Sequence, residues 1–182
     1  MKNNFRRKSN LSKKNEVKSG PRRPSFKNKS FQRISYYFSK KDFKCQSGLT
    51  EKLKISAGLV GCLEYLQAKI KGKVKVVKGY ECVESAEKNK RLKRNYHSQG
   101  LAVNIAVEGM TLTALFEVVE QIQEFTVIGI NYDENYIHIC CAKDKARELW
   151  VIKNSQEVTL TEALRVQYNI APLGSLQDES RS

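Results

Sequence analysis

Residues 97–104 read HSQGLAVN and residues 136–140 read YIHIC, and the fold turns on these two strings. They hold both histidines of the chain, His97 and His138, and they place Asn104 seven residues after the first. The runs LAVNIAV at 101–107 and 136–141 read as short apolar strands. A histidine, an oxygen donor seven residues on and a second histidine on a distant strand make a three-ligand metal site with one open position, the arrangement that holds hydrolytic zinc. Such a site calls for a carboxylate as its oxygen ligand. Asn104 offers a neutral amide instead.

On either side of these strings the pattern is legible. Residues 56–70 place Leu59, Leu63, Leu66 and Ile70 at three- and four-residue spacing, with Val60 and Cys62 alongside, which predicts a helix with one apolar face. Gly72 ends it, and VKVV at 74–77 predicts a strand. The polar stretch 81–96 predicts a long loop. Gly109 and Thr111 introduce a helix to about Glu124, with Leu112, Leu115, Phe116, Val119 and Ile122 on one face and Thr111 as N-cap. Apolar runs at 126–131 and 136–141 flank YDEN and predict a β-hairpin. Residues 143–152 are ambiguous, and Thr159 with Glu162 has capping-box spacing ahead of a short helix to about Tyr168. No internal repeat is present. Helices and strands mix without βαβ alternation, so the expected class is α+β, an antiparallel sheet flanked by helices.

The formal net charge of +14 over 182 residues suggests a nucleic-acid binder until it is divided along the chain. Residues 1–41 hold 14 Lys or Arg against one acid, a net of +13, whereas residues 42–182 hold 19 basic and 18 acidic residues, a net of +1. The expected division is a disordered basic arm over 1–35, a domain over 36–152, and a C-terminal extension over 153–182 with a short helix and a frayed tail. The arm lacks the apolar stretch of ~7–15 residues that a signal peptide carries, and no run approaches the ~18 apolar residues of a membrane span. A cytosolic protein is the simplest expectation, although a basic, Ser-containing, acid-poor arm also has the composition of an organelle presequence. Five cysteines (Cys45, Cys62, Cys82, Cys140 and Cys141), an odd number without CxxC spacing, fit reduced thiols better than a secreted disulfide framework.

Taken in order, FSKKDFKC at 38–45, the helix, VKVVKGY at 74–80, HSQGLAVNI at 97–105 and IGINYDENYIHIC at 128–140 resemble the zinc D-alanyl-D-alanine carboxypeptidases, which share their fold with the Hedgehog signalling domain. The resemblance covers about residues 36–141. It implies an antiparallel sheet with helices against it and a groove holding one zinc, ligated at the positions of His97, Asn104 and His138. The substrates it implies are D-Ala-containing peptidoglycan peptides.

The departures from that family are chemical. Its zinc-binding Asp is Asn104 here, and the Asp that often follows its strand histidine by two residues is Cys140. A second histidine two residues earlier is replaced by Tyr136, and a catalytic Glu three residues before His138 would fall on Asn135, with Glu134 one place off. The family's SGYR string, whose Ser and Arg help hold substrate, appears as Lys78, Gly79, Tyr80 and Glu81. An amide does not neutralise the metal's charge as a carboxylate does, so zinc binding should be weakened. Hydrolysis also needs a base for the metal-bound water. The expectation is a peptidase-like protein with weak or no activity that binds a peptidoglycan-type peptide or a partner in the former groove.

Two residues keep an active enzyme open as the alternative. Cys140 shares a strand face with His138 and would supply a thiolate for a His2Cys site, and Glu134 would stand at the groove mouth as a substitute base. Both have blander readings, as a buried cysteine and a solvated turn residue. Phe43, Tyr65, Phe116 and Trp150 read as core, and Gly100 and Ala102 as residues that let the ligand-bearing segment pack closely against the sheet. The loop cations Lys88, Lys90, Arg91, Lys93 and Arg94 lie just before His97 and, with the arm, form a candidate site for nucleic acid or another polyanion.

Overall fold

Ser39 and Asp42 set the first ordered turn: the Ser39 backbone N–H donates to Asp42 Oδ2 at 2.7 Å, opening α1 (Lys40–Phe43) and turning Phe43 fully into the core. The structure, a computed structural model, describes residues 32–48, 50, 52–88, 95–143 and 145–172. Residues 1–31 of the basic arm therefore lie outside the described residues, as do Lys90, Arg91, Lys93 and Arg94. The three- and four-residue spacing of Leu59, Leu63 and Leu66 makes α2 (Ala57–Lys69), whose apolar side is buried, and β1 (Val74–Lys78) follows. The expected loop over 81–96 contains a short helix, α3 (Val83–Lys88), started by Ser85 and Ala86 N–H groups donating to the Cys82 carbonyl and anchored by the fully buried Ala86. One small apolar residue in a polar stretch gives no periodicity to read.

β2 (Ala102–Val107) leads to α4 (Leu112–Glu120), capped as expected by Thr111, whose hydroxyl accepts from the Ala114 N–H at 3.2 Å. The predicted hairpin is present as β3 (Val127–Asn131) and β4 (Tyr136–Cys140). The ambiguous stretch resolves into β5 (Glu148–Lys153), which runs through the expected domain boundary at 152 and turns into β6 (Gln156–Thr159). Asn154 and Ser155 carry φ of 54° and 60° in that turn, the two positive values of a tight hairpin loop. All four β6 residues are exposed, so no hydrophobic alternation announced the strand. α5 (Glu162–Gln167) is capped by Thr161, with a 3.4 Å bond to the Leu164 N–H, and not by Thr159.

Among the described residues the class is α+β, with six strands in one sheet in the order β1-β2-β4-β3-β5-β6. The sheet is mixed rather than antiparallel, because β3 and β5 pair in parallel. The reason is local: Cys140 and Glu148 are both in register with Val127, so β4 ends and β5 begins at the same end of β3. A short link across that end suffices, and Thr126 holds it through the Ala142 and Glu148 N–H groups at 3.0 and 2.8 Å.

Side chains alternate across the sheet. Val103, Ile105, Ile128, Ile130, Ile137, Ile139 and Val151 face the helices and form one core with Leu59, Leu63, Phe116 and Phe125. Leu160 and Ile170 join the same core, and Arg165, 2% exposed, pairs with Glu120 of α4 and donates to the Ala171 carbonyl at 3.0 Å. The chain after 152 is thus built into the fold through Ile170. No helix among the described residues is long and apolar enough to cross a membrane.

Candidate functional site

The opposite face of the sheet carries the site, and strand register assembles it. Lys78 pairs with Asn104, Asn104 with His138, His138 with Gly129, and Gly129 with Trp150, a single row across β1, β2, β4, β3 and β5. The row works because its fourth member has no side chain. A Cβ on Gly129 would lie 2.2 Å from the Trp150 indole, so glycine lets the ring lie across β3. The indole meets the His138 ring at 5.5 Å between centroids and 31° between planes. Trp150, read from sequence as core, therefore lines the site.

His97 reaches this row from a tight turn outside the sheet. Asn95 Oδ1 accepts from the His97 and Ser98 N–H groups at 3.1 and 3.3 Å, and Gly100, with φ of 72°, closes the turn. A Cβ on Gly100 would sit 2.5 Å from the Lys54 carbonyl oxygen, so this glycine packs the turn closely on the stretch before α2, and not on the sheet as the sequence suggested. His97 Nδ1 lies 2.8 Å from the Gly79 carbonyl, which only accepts, so Nδ1 carries the proton. Gly79 is itself pressed on the backbone of Phe43, with room for no side chain. The KGY string thus keeps its glycine to orient His97.

His97 and His138 stand edge to face, 5.2 Å between centroids, with Asn104 between them. Asn104 Oδ1 is 2.9 Å from His138 Nδ1. The three residues that the sequence singled out do converge. Burial pushes the His97 imidazole down to about 4; the Gly79 carbonyl works against that shift and the Lys78 charge adds to it. Burial, then the neighbouring His97 and Lys78, pushes His138 down to about 3. Both rings are neutral at ordinary pH.

Neutral imidazoles suit a metal, but the donor set does not suit zinc. It has no anionic member, and the amide oxygen is already engaged with His138 Nδ1. Among the described residues no group of three or more His, Cys, Asp or Glu side chains is placed to hold a metal, and no buried side-chain nitrogen or oxygen lacks a hydrogen-bond partner.

The row opens into a cavity of about 680 Å3. Glu81, 3% exposed, forms part of its wall, accepting from Asn95 Nδ2 at 2.6 Å and pairing with Lys78 Nζ at 3.1 Å. A buried carboxylate therefore neutralises the nearest lysine. Tyr136 also lines the cavity and accepts from Asn131 Nδ2 at 3.0 Å. Glu134 is exposed at the mouth, near Asp133 and Glu157, so the mouth is acidic.

Two sequence candidates lie elsewhere. Cys140 shares the His138 face but is fully buried beside Ala102, Val127 and Ala142, and burial pushes its thiol up to about 12. It supplies no thiolate to a His2Cys site. Tyr80 is outside the lining; its backbone N–H bonds the Phe43 carbonyl at 2.9 Å. Lys88 ends α3 exposed.

No family model matches this chain, and no curated protein does.

Residues that the sequence did not flag form much of the wall. Asp133 accepts from the Asn154 and Ser155 N–H groups at 2.9 and 2.7 Å, tying the β3–β4 turn to the β5–β6 turn. Asn131 Oδ1 accepts from the Glu134 N–H at 2.9 Å, an Asx turn. The string NYDEN carries that signal, since Asn and Asp in a turn cap backbone N–H groups. Ser155 and Glu157 come from the turn before β6 and from β6 itself, so they were hidden with that strand.

Proposed function

We propose that this protein is a diverged, non-catalytic relative of the zinc D-alanyl-D-alanine carboxypeptidases, with a Hedgehog-type domain, that binds a peptide through the former active-site groove. The observation that carries the reading is the Asn104 amide hydrogen-bonded to His138 Nδ1 at 2.9 Å, beside the buried His97 and the partly buried His138, both neutral. An amide standing where a metal-binding carboxylate belongs keeps the cluster folded by hydrogen bonds in place of an ion. Zinc binds such a set weakly. The active alternative loses support because Cys140 is outside the cavity, and Glu134, although it lines the mouth, is an exposed turn carboxylate.

The cavity's charge also bears on the ligand. Lys78 is paired with Glu81, and three carboxylates (Asp133, Glu134 and Glu157) stand at the mouth, which favours a peptidoglycan-type peptide that presents an amino group over one held by its C-terminal carboxylate. The arm, with net +13 over residues 1–41, adds a salt-sensitive contact to nucleic acid or another polyanion.

Trp150, the only tryptophan in the chain, reports on the cavity directly. Peptides ending in D-Ala-D-Ala, with the side-chain amine free or acetylated, should be titrated against its emission while released D-Ala is measured with and without zinc. We expect saturable quenching that acetylation weakens, and no D-Ala. Zinc-dependent D-Ala release would overturn the non-catalytic reading, and an unresponsive Trp150 would overturn the choice of ligand.

A further inference from the structure

All five cysteines are thiols, yet two that lie 37 residues apart in sequence touch. Cys45 follows α1, and Cys82 supplies the carbonyl that starts α3. Their Sγ atoms are 3.4 Å apart, the Cys82 backbone N–H donates to Cys45 Sγ at 3.3 Å, and Ser47 Oγ lies 3.1 and 3.4 Å from the two sulfurs. The backbones around them are in close contact. The Gly79 Cα is pressed on Phe43, and Gln46 Nε2 donates to the Val77 carbonyl at 2.6 Å. A disulfide needs the sulfurs at ~2.05 Å, so they must close by about 1.3 Å between segments already packed together.

We infer that Cys45 and Cys82 are a dithiol built to close into a disulfide, by exchange with a small-molecule disulfide, as a clamp on the cavity wall. Cys45 is the attacking thiol. Both are buried, and Cys45 is the more accessible, 9% exposed against 1% for Cys82. Burial opposes ionisation of Cys45, but hydrogen bonds from the Cys82 N–H, from Ser47 and from the Cys82 thiol outweigh it and hold its acidity above that of an ordinary thiol. The Cys45 thiolate attacks one sulfur of the small disulfide, forming a mixed disulfide and expelling one thiolate. Cys82 then gives up its proton and attacks the Cys45 sulfur, forming the protein disulfide and expelling the second thiolate. The protein dithiol is oxidised by two electrons, the small disulfide is reduced to two thiols, and the two protein protons end on them.

Position gives the bond its consequence. Cys82 follows Glu81, and the same segment carries Lys78 and the Gly79 carbonyl that orients His97. Closing the bond fixes this wall of the cavity to the segment after α1. The other thiols stand apart from this pair: Cys140 is sealed in apolar surroundings, and Cys62 hydrogen-bonds Cys141 on the helix side of the sheet.

The full chain should be equilibrated in glutathione buffers from fully reducing to fully oxidising, quenched in acid, alkylated, digested with trypsin and mapped by mass. The Cys45 peptide (45–52) should join the Cys82 peptide (79–88) increasingly as oxidised glutathione rises. In the Cys62→Ser background, oxidation should raise the melting midpoint by about 10 °C, and adding Cys45→Ser or Cys82→Ser should abolish the shift. The mapping uses the unmutated chain, so it decides even if a variant fails to fold. Both peptides alkylated at the most oxidising ratio, a persistent glutathione adduct, or Cys45 joined to another cysteine would overturn the inference.

Discussion

Replacing Gly129 by alanine should break the row that builds the cavity. The added Cβ would fall 2.2 to 2.3 Å from three atoms of the Trp150 indole, well inside contact distance. Either the ring swings away from His138 or β3 shifts against β5. Overpacking of this kind costs ~1–3 kcal/mol, and Gly129 sits mid-strand among fully buried neighbours, so we expect about 2–3 kcal/mol by urea unfolding. The emission of Trp150 should move to the red as the ring enters solvent. Gly61 is the internal control: it lies on the exposed side of α2, where an added methyl would meet nothing within 4 Å, so Gly61→Ala should stabilise by ~0.5–1 kcal/mol. If Gly129→Ala leaves both stability and emission unchanged, Trp150 does not lie over Gly129 and does not wall the cavity.

Acid should unfold the protein through its histidines. Both are held well below the ordinary 6.5, at about 4 and about 3, so the unfolded chain takes up protons that the folded one refuses. Stability should be level above about pH 7 and fall by on the order of 8 kcal/mol between pH 6.5 and 3, about six pK units of lowering at ~1.4 kcal/mol each, and His138→Gln should flatten the fall; an unchanged slope in that variant would refute the burial argument. Arg165→Ala should cost ~2–4 kcal/mol, because it leaves Glu120 and the Ala171 carbonyl without their buried partner. A change under ~0.5 kcal/mol on denaturant unfolding would mean that the chain beyond β5 is not part of the cooperative unit.

Periodicity revealed α2, α4 and the β3–β4 hairpin, because each buries one face against the common core and spaces its apolar residues accordingly. It could not reveal β6, whose four residues are all exposed, or α3, which is anchored by Ala86 alone. The parallel pairing of β3 with β5 depends on where β4 ends relative to Val127, a property of register that no local pattern encodes. At the site, the two histidines and Asn104 were identifiable because their spacing and residue types are unusual together. Trp150 was not, since its exposure to the cavity depends on a glycine one strand away. Cys140 shows the converse: alternation put it correctly on the His138 face, but only packing shows that this end of the face is sealed.

The most direct test of the account is zinc affinity before and after one substitution. Asn104→Asp restores a charged oxygen beside His138 and His97 without altering side-chain size. Loss of a partner outside the ligand shell already costs ~10–100-fold in metal affinity, so returning a charged ligand should tighten zinc binding by at least about 100-fold over the unmutated protein by isothermal titration. Equal zinc affinity in the two proteins, weak or tight, would contradict the claim that His97, Asn104 and His138 are a metal site disarmed by its amide.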